Sequence, residues 1–100
     1  MYYLYILISE SSAQYYVGIS SNVQKRLDEH NNSEGLTFTS KFRPWRIEAV
    51  FECAETLGEA RKIENFIKRQ KSKILLMRMI EGEQLSGILA QLIRVPHVRD

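Results

Sequence analysis

The chain alternates between two hydrophobic periods. Tyr2, Tyr3, Leu4, Tyr5, Ile6, Leu7 and Ile8 form one short aromatic and β-branched run, and Tyr15, Tyr16 and Val17 before Gly18 form another. Residues 9–13 between them are polar and small, so the pattern predicts two antiparallel strands closed by a hairpin loop. Side chains on a strand alternate faces, which sends Tyr3 and Tyr5 one way and Leu4, Ile6 and Ile8 the other. On the second strand Tyr16 shares a face with Gly18, opposite Tyr15 and Val17. Two phenols beside a glycine that leaves space can hold a substrate; tyrosines also simply suit half-buried sheet positions.

After Gly18 the period lengthens. Ser21 with Gln24 three residues on is a capping-box signature for a helix reaching about His30 or Asn31. Val23 and Leu27 define its inward stripe, while Gln24, Lys25, Asp28 and Glu29 face water. Arg26 and His30, one turn apart, fall on the inward side beside Val23. An arginine against a buried edge must find an acceptor, because an unpaired buried charge is costly. A structural ion pair or a backbone carbonyl would satisfy it as well as a ligand, and His30 reads equally as a core-edge residue. Residues 31–44, with Gly35, Lys41 and Arg43, lack a clear period and form a long loop of the kind that often carries function. Residues 46–51 predict a third strand, with Ile47, Val50 and Phe51 in the core.

Thr56 with Glu59 is a second capping box, opening a helix to about Lys71 whose buried stripe is Ala60, Ile63 and Ile67. Leu57 and Phe66 lie at its margins. Glu64 projects at the stripe's edge, with Arg61, Lys68 and Lys71 on that side. Two readings stay open: an exposed pair with Lys68 worth about 0.3–0.5 kcal/mol, or a carboxylate at the rim of a cationic cleft. Ser72 restarts the chain as a further helix with Ile74, Leu75, Leu76 and Met79 apolar. Beyond Gly82, Leu85, Ile88, Leu89 and Leu92 have helical spacing and predict a last amphipathic helix, weakened by Gly87. Residues 96–100 are a tail.

One hundred residues at 44% apolar and 26% charged describe one ordinary globular domain. A net charge of +2 is a weak pointer to any partner, but its distribution says more. Six of the fourteen basic residues lie in 61–73 against one acid, Glu64, making a local cationic surface suited to phosphates, though many solvated helices look alike. The single cysteine, Cys53, has no ligand-spaced partner and reads as a small core residue, which fits a reducing, cytoplasmic setting. No apolar run approaches the ~20 residues of a membrane span, and the start lacks the features of a signal peptide. No P-loop, dinucleotide fingerprint, zinc-ligand cluster or repeat is present.

With those residues placed, residues 2–80 resemble the GIY-YIG nuclease family, in particular its small bacterial single-domain members. The matching pieces are Tyr3, Leu4 and Tyr5 for the first motif and Tyr16, Val17 and Gly18 for the second. Arg26 and His30 follow, then Arg43, Pro44 and Trp45, then Glu64 between Ile63 and Asn65. The resemblance implies an α/β (α+β) domain over residues 1–80, with a three-stranded, largely antiparallel sheet flanked by helices. Residues 81–100 would then be a helical extension and tail, able to cover the domain or build a homodimer seam. It also implies metal-dependent hydrolysis of DNA phosphodiesters, with Glu64 holding one Mg²⁺ or Mn²⁺ ion. Tyr5 and Tyr16 match the motif tyrosines, Arg26 the phosphate-binding arginine, and His30 a position held by His or Tyr; Tyr3 and Gly18 are structural motif positions. Lys41, Arg43, Arg61, Lys68, Arg69 and Lys71 are the expected nucleic-acid contacts. A chain this short has no room for a separate target-reading domain, so low sequence specificity is expected, on branched or damaged DNA in repair or recombination. The competing expectation is a nucleic-acid-binding module that cuts poorly or not at all. Two positions depart from the family pattern: Tyr3 stands where the first motif has Gly, and Ile19 where some members carry Lys.

A free phenol has a pKa of about 10, so a phenolate at neutral pH costs roughly 4 kcal/mol. A tyrosine acting as general base here therefore needs a cation beside it or a neighbour to take its proton. One carboxylate is a thin Mg²⁺ site that substrate oxygens and waters must complete, so metal should bind weakly without DNA and more tightly with it.

Overall fold

A computed structural model describes residues 1–34 and 37–96 of the chain. The predicted hairpin forms from β1 (Tyr2–Ser9) and β2 (Tyr15–Ser20). Then come α1 (Val23–Asn32), a short 3-10 turn (Thr39–Phe42) inside the long loop, and β3 (Trp45–Ala54). Next are α2 (Leu57–Gln70), α3 (Lys73–Ile80), a second 3-10 turn (Gly87–Gln91) and β4 (Ile93–Val95). The sheet is antiparallel throughout, in the order β2-β1-β3-β4, with β1 and β3 as its inner strands.

Alternation along β1 divides two cores. Leu4 and Ile6 join Val17, Phe51 and Cys53 on one face, under Ala60, Ile63 and Ile67 of α2 and Met79 of α3. Tyr5 and Leu7 join Trp45 and Val50 on the other, where Val23 and Leu27 of α1 cover them. Cys53 is buried, and burial pushes its thiol up to about 11, as suits an inert packing residue. No helix among the described residues is long and apolar enough to cross a membrane.

Thr56 and Ser72 cap α2 and α3 as their sequence signatures predict, accepting from the Glu59 and Leu75 N–H groups. The cap of α1 is Asn22 rather than Ser21: the Asn22 side chain accepts from the Lys25 N–H at 3.1 Å, while the Ser20 hydroxyl holds the Asn22 N–H. Strand β3 extends past the expected residues 46–51 at both ends, because β1 offers it a partner from Tyr2 to Ser9.

The larger correction is at the C-terminal side. Among the described residues the sheet has four strands rather than three, and the expected amphipathic helix over residues 85–92 does not form. Gly87 adopts a left-handed φ of +62°, which a right-handed helix cannot continue through. The chain instead makes one 3-10 turn, whose threefold period brings Leu89 and Leu92 together into the protein's own core. It then adds β4 to β3, pairing Val95 with Val50 and Ile93 with Glu52. The Arg94 guanidinium donates to the Ile80 carbonyl at 3.0 Å, tying this strand to the end of α3. The apolar residues assigned to a dimer seam are thus largely used within one chain. Gly35 of the long loop, and residues 97–100 of the tail, lie outside the described residues.

Candidate active site

The register of the hairpin sets Tyr5 opposite Gly18. A β-carbon at Gly18 would overlap Oη and Cζ of Tyr5, so glycine is what lets the phenol lie under β2. Tyr5 is 1% exposed, and its Oη is 3.0 Å from Nε2 of His30, which is 5% exposed near the end of α1. Burial pushes the Tyr5 hydroxyl up to about 12, with Tyr16 adding to the rise and Arg26 opposing it. Burial also pushes His30 down to about 4, helped by the charge of Arg26. Both groups are therefore neutral at pH 7. With the imidazole proton on Nδ1 the Tyr5 O–H donates to Nε2; with it on Nε2 the ring donates to the Tyr5 oxygen.

Arg26 finds its acceptor on its own helix: Nη1 lies 2.7 Å from Oε1 of Glu29. That pairing holds the Glu29 carboxyl below its usual range and keeps the guanidinium firmly charged. Arg26, Glu29 and His30 share a hollow of about 260 Å³ with Tyr16, Phe38 and Thr39. The Tyr16 ring meets His30 edge-on at 4.8 Å and Trp45 at 6.1 Å. Trp45 in turn donates from Nε1 to the Thr39 carbonyl at 2.7 Å, fixing the 3-10 turn, and Phe38 just before that turn stacks beside Tyr16 at 6.4 Å.

On its other side Tyr16 borders a groove of about 610 Å³ along the free edge of β2. Tyr15, Phe38, Ile67 and Leu76 give it an apolar lining; Lys68, Lys71 and Lys73 give it charge. Lys73 lies 5.7 Å from the Tyr15 ring. Tyr16 and Phe38 are the wall common to hollow and groove.

Glu64 resolves one of the alternatives that sequence left open. It is 7% exposed, a fourth buried residue on the α2 stripe beside Ala60, Ile63 and Ile67, and so not an exposed surface pair. The half-exposed Lys68 places Nζ 3.1 Å from Oε2 of Glu64 and 5.4 Å from the centre of the Tyr16 ring. One ammonium therefore touches both the carboxylate and the phenol that the sequence singled out.

Tyr5, Tyr16, Arg26 and His30 come together directly, and Glu64 joins them through Lys68. Tyr3 packs at the margin of the Tyr5 core. Lys68 and Lys71 line the groove, whereas Arg61 and Arg69 are exposed elsewhere on α2 and Lys41 is exposed on the first 3-10 turn. Arg43 is committed to the framework: Nε donates to the His30 carbonyl and Nη2 to the Ser33 carbonyl, both at 2.6 Å, closing the end of α1. Sequence reasoning missed Tyr15, Phe38, Lys73 and Asn31. Asn31 accepts from the Trp45 N–H at 2.7 Å and donates to its carbonyl at 3.0 Å, locking α1 to the start of β3.

Among the described residues no three His, Cys, Asp or Glu side chains gather as a metal site. The donor that fits a hard divalent cation is Glu64, a carboxylate already holding a cation, the Lys68 ammonium, at 3.1 Å. Such a site supplies one protein ligand and leaves the other positions to water and substrate oxygens.

The family model described as the GIY-YIG catalytic domain matches residues 1–79. The chain belongs to the GIY-YIG family. It is 31% identical over 87 residues to a UPF0213 protein of Bacillus licheniformis, covering 87% of each chain. A UPF0213 protein of Fusobacterium nucleatum is 31% identical over 77 residues, 74% of this chain and 76% of its own. A GIY-YIG domain-containing protein of Invertebrate iridescent virus 6 is 31% identical over 70 residues, 70% and 71% of the two chains. The two GIY-YIG motifs stand on β1 and β2, where pairing of Tyr5 with Gly18 and Leu7 with Tyr16 sets them side by side. The match ends at the last turn of α3, so β4 and the turn before it lie outside the matched GIY-YIG segment.

Proposed function

We propose that this GIY-YIG protein is a divalent-metal-dependent endonuclease that hydrolyses DNA phosphodiester bonds with low sequence specificity, in repair or recombination. One observation carries the reading. Tyr16 has the hollow of Arg26 and the neutral His30 on one side and the Lys68–Glu64 pair on the other. Base, anion clamp and hard oxygen donor therefore border one point.

Each group has a task. Arg26, oriented by Glu29, offers guanidinium N–H groups to the non-bridging oxygens of a phosphate seated in the hollow. Tyr16 takes the proton of the attacking water, with the Lys68 ammonium lying over its ring. Tyr5 and His30 form a neutral bonded pair that fixes the His30 ring in the wall of the hollow. Mg²⁺ or Mn²⁺ bound at Glu64 would supply Lewis-acid stabilisation of the phosphate and an acidified water. The groove suits the approaching strand: its lysines face phosphates, and its aromatic residues offer stacking surfaces to bases.

The test is purified protein with Mg²⁺ or Mn²⁺ on plasmid, branched and single-stranded DNA, alongside Glu64→Gln. Cleavage lost in the variant while DNA binding persists supports the enzyme. Binding without cleavage in the native protein would instead establish the binding-module reading, and cleavage that survives Glu64→Gln would refute the site.

A further inference from the structure

Lys68 does more than line the groove. Glu64 is buried on the α2 stripe, and removing the cation paired with a buried carboxylate is costly. The partner that neutralises it is flexible and half-exposed, on a lysine stem anchored one helical turn away. The same ammonium is in contact range of the Tyr16 ring, so it can leave the carboxylate without leaving the site.

We infer that Lys68 is the resident counter-ion of Glu64, occupying the carboxylate until a divalent cation replaces it, and that its displaced ammonium passes across Tyr16 to a phosphate of the bound strand. This rests on the nuclease reading for the identity of the ligands, and it adds a positioning residue that couples metal loading to substrate. Three features of the site support the exchange. A tethered ammonium and a divalent ion compete for the same carboxylate, because the ammonium 3.1 Å from Oε2 repels a second cation brought onto it. The destination exists, since the groove beside Lys68 already gathers Lys71 and Lys73 and would draw a phosphate there. The coupling has a direction: a phosphate that holds the ammonium frees Glu64, so each ligand strengthens the binding of the other.

The experiment is isothermal titration of Mn²⁺ into the full chain without DNA, comparing the native protein with Lys68→Met, Lys68→Gln and Lys68→Arg, each with and without Glu64→Gln. Lys68→Met and Lys68→Gln should bind Mn²⁺ at least about 5-fold more tightly than the native protein. Lys68→Arg should not, and Glu64→Gln should remove binding in every background. A short duplex should tighten Mn²⁺ binding to the native protein by more than it tightens binding to Lys68→Met, in which only the substrate oxygens remain to add affinity. Thermal unfolding supplies a readout independent of activity: Lys68→Met should melt below the native protein in chelator and recover with Mn²⁺. Glu64-dependent Mn²⁺ binding that is indifferent to Lys68 overturns the exchange alone and leaves the nuclease reading standing. Mn²⁺ binding that Glu64→Gln leaves intact overturns both. Tightening in Lys68→Met by a protein that cuts no DNA supports the exchange and refutes the nuclease.

Discussion

The Tyr5 hydroxyl and the His30 imidazole form a buried hydrogen bond of 3.0 Å between β1 and α1, and burial drives their proton affinities apart. Because folding disfavours the imidazolium, the unfolded chain takes up its proton first as pH falls below about 6.5. Stability should therefore decline from there down to about 4, by about 3 kcal/mol at most. On the alkaline side the Tyr5 contribution is intact below pH 10 and is lost as pH rises towards about 12. Chemical denaturation at a series of pH values measures both limbs. His30→Gln should flatten the acid limb and leave the alkaline one.

Gly18→Ala tests the space above that bond. The added methyl group would overlap the Tyr5 ring at Oη and Cζ, and the ring cannot retreat because His30 and the core hold it. A loss of about 1–3 kcal/mol is expected. Tyr5→Phe in the same chain should not relieve it, since Cζ remains in the way. Urea midpoints of the two single variants and the double variant decide this.

Asn31→Ala removes both side-chain bonds to the Trp45 backbone and leaves a buried residue's N–H and carbonyl without them. The cost should be about 1–3 kcal/mol, with the first 3-10 turn loosened and Phe38 freed from Tyr16. Hydrogen exchange at Trp45 and thermal unfolding would register the two effects separately.

Arg26→Ala should lower the rate of DNA cleavage by about 10²–10³-fold with little change in stability, as expected for a half-exposed group that acts on developing charge. Glu29→Gln removes only the partner that orients it, so a smaller loss is expected. Single-turnover kinetics with saturating protein separates these from weakened binding.

Lys71→Glu together with Lys73→Glu should weaken DNA affinity and flatten its dependence on salt, because both line the groove. Arg61→Glu, on an exposed part of α2 away from it, should change affinity less. Fluorescence anisotropy at several salt concentrations reads both quantities.

Local patterns carried most of the fold into view. The two-residue period of β1 separates Leu4 and Ile6 from Tyr5 and Leu7 as the structure does, and Thr56 and Ser72 start their helices where their signatures stand. What escaped was decided by tertiary context. Leu85, Ile88, Leu89 and Leu92 satisfy a helical period, yet the left-handed Gly87 and an open edge on β3 turn that stretch into a 3-10 turn and a strand. For the site, Tyr5, Tyr16, Arg26 and His30 were readable because each lies in a regular element. Phe38 was not, since no period marks an aromatic residue in a loop, and its place follows from Trp45 holding the turn beside it. The burial of Glu64 was also hidden, because helical phase alone puts it at the margin and the sheet beneath α2 determines how deep that margin lies.

The three-residue length of β4 also governs how this protein meets its own copies. An outer strand of eight or ten residues would offer a row of free N–H and carbonyl groups on which a second molecule could extend the sheet. Here β4 is three residues long and is followed at once by Pro96, which has no N–H to give, and the Gln91 and Arg94 side chains donate to the Cys53 and Glu48 carbonyls of β3 on either side of its pairing. The opposite margin, β2, runs beside a groove charged by three lysines, and like charges repel a second copy. The fold thus finishes its sheet on both sides in ways that discourage fibre growth, and it should stay dispersed at concentrations where a plain three-stranded version would aggregate.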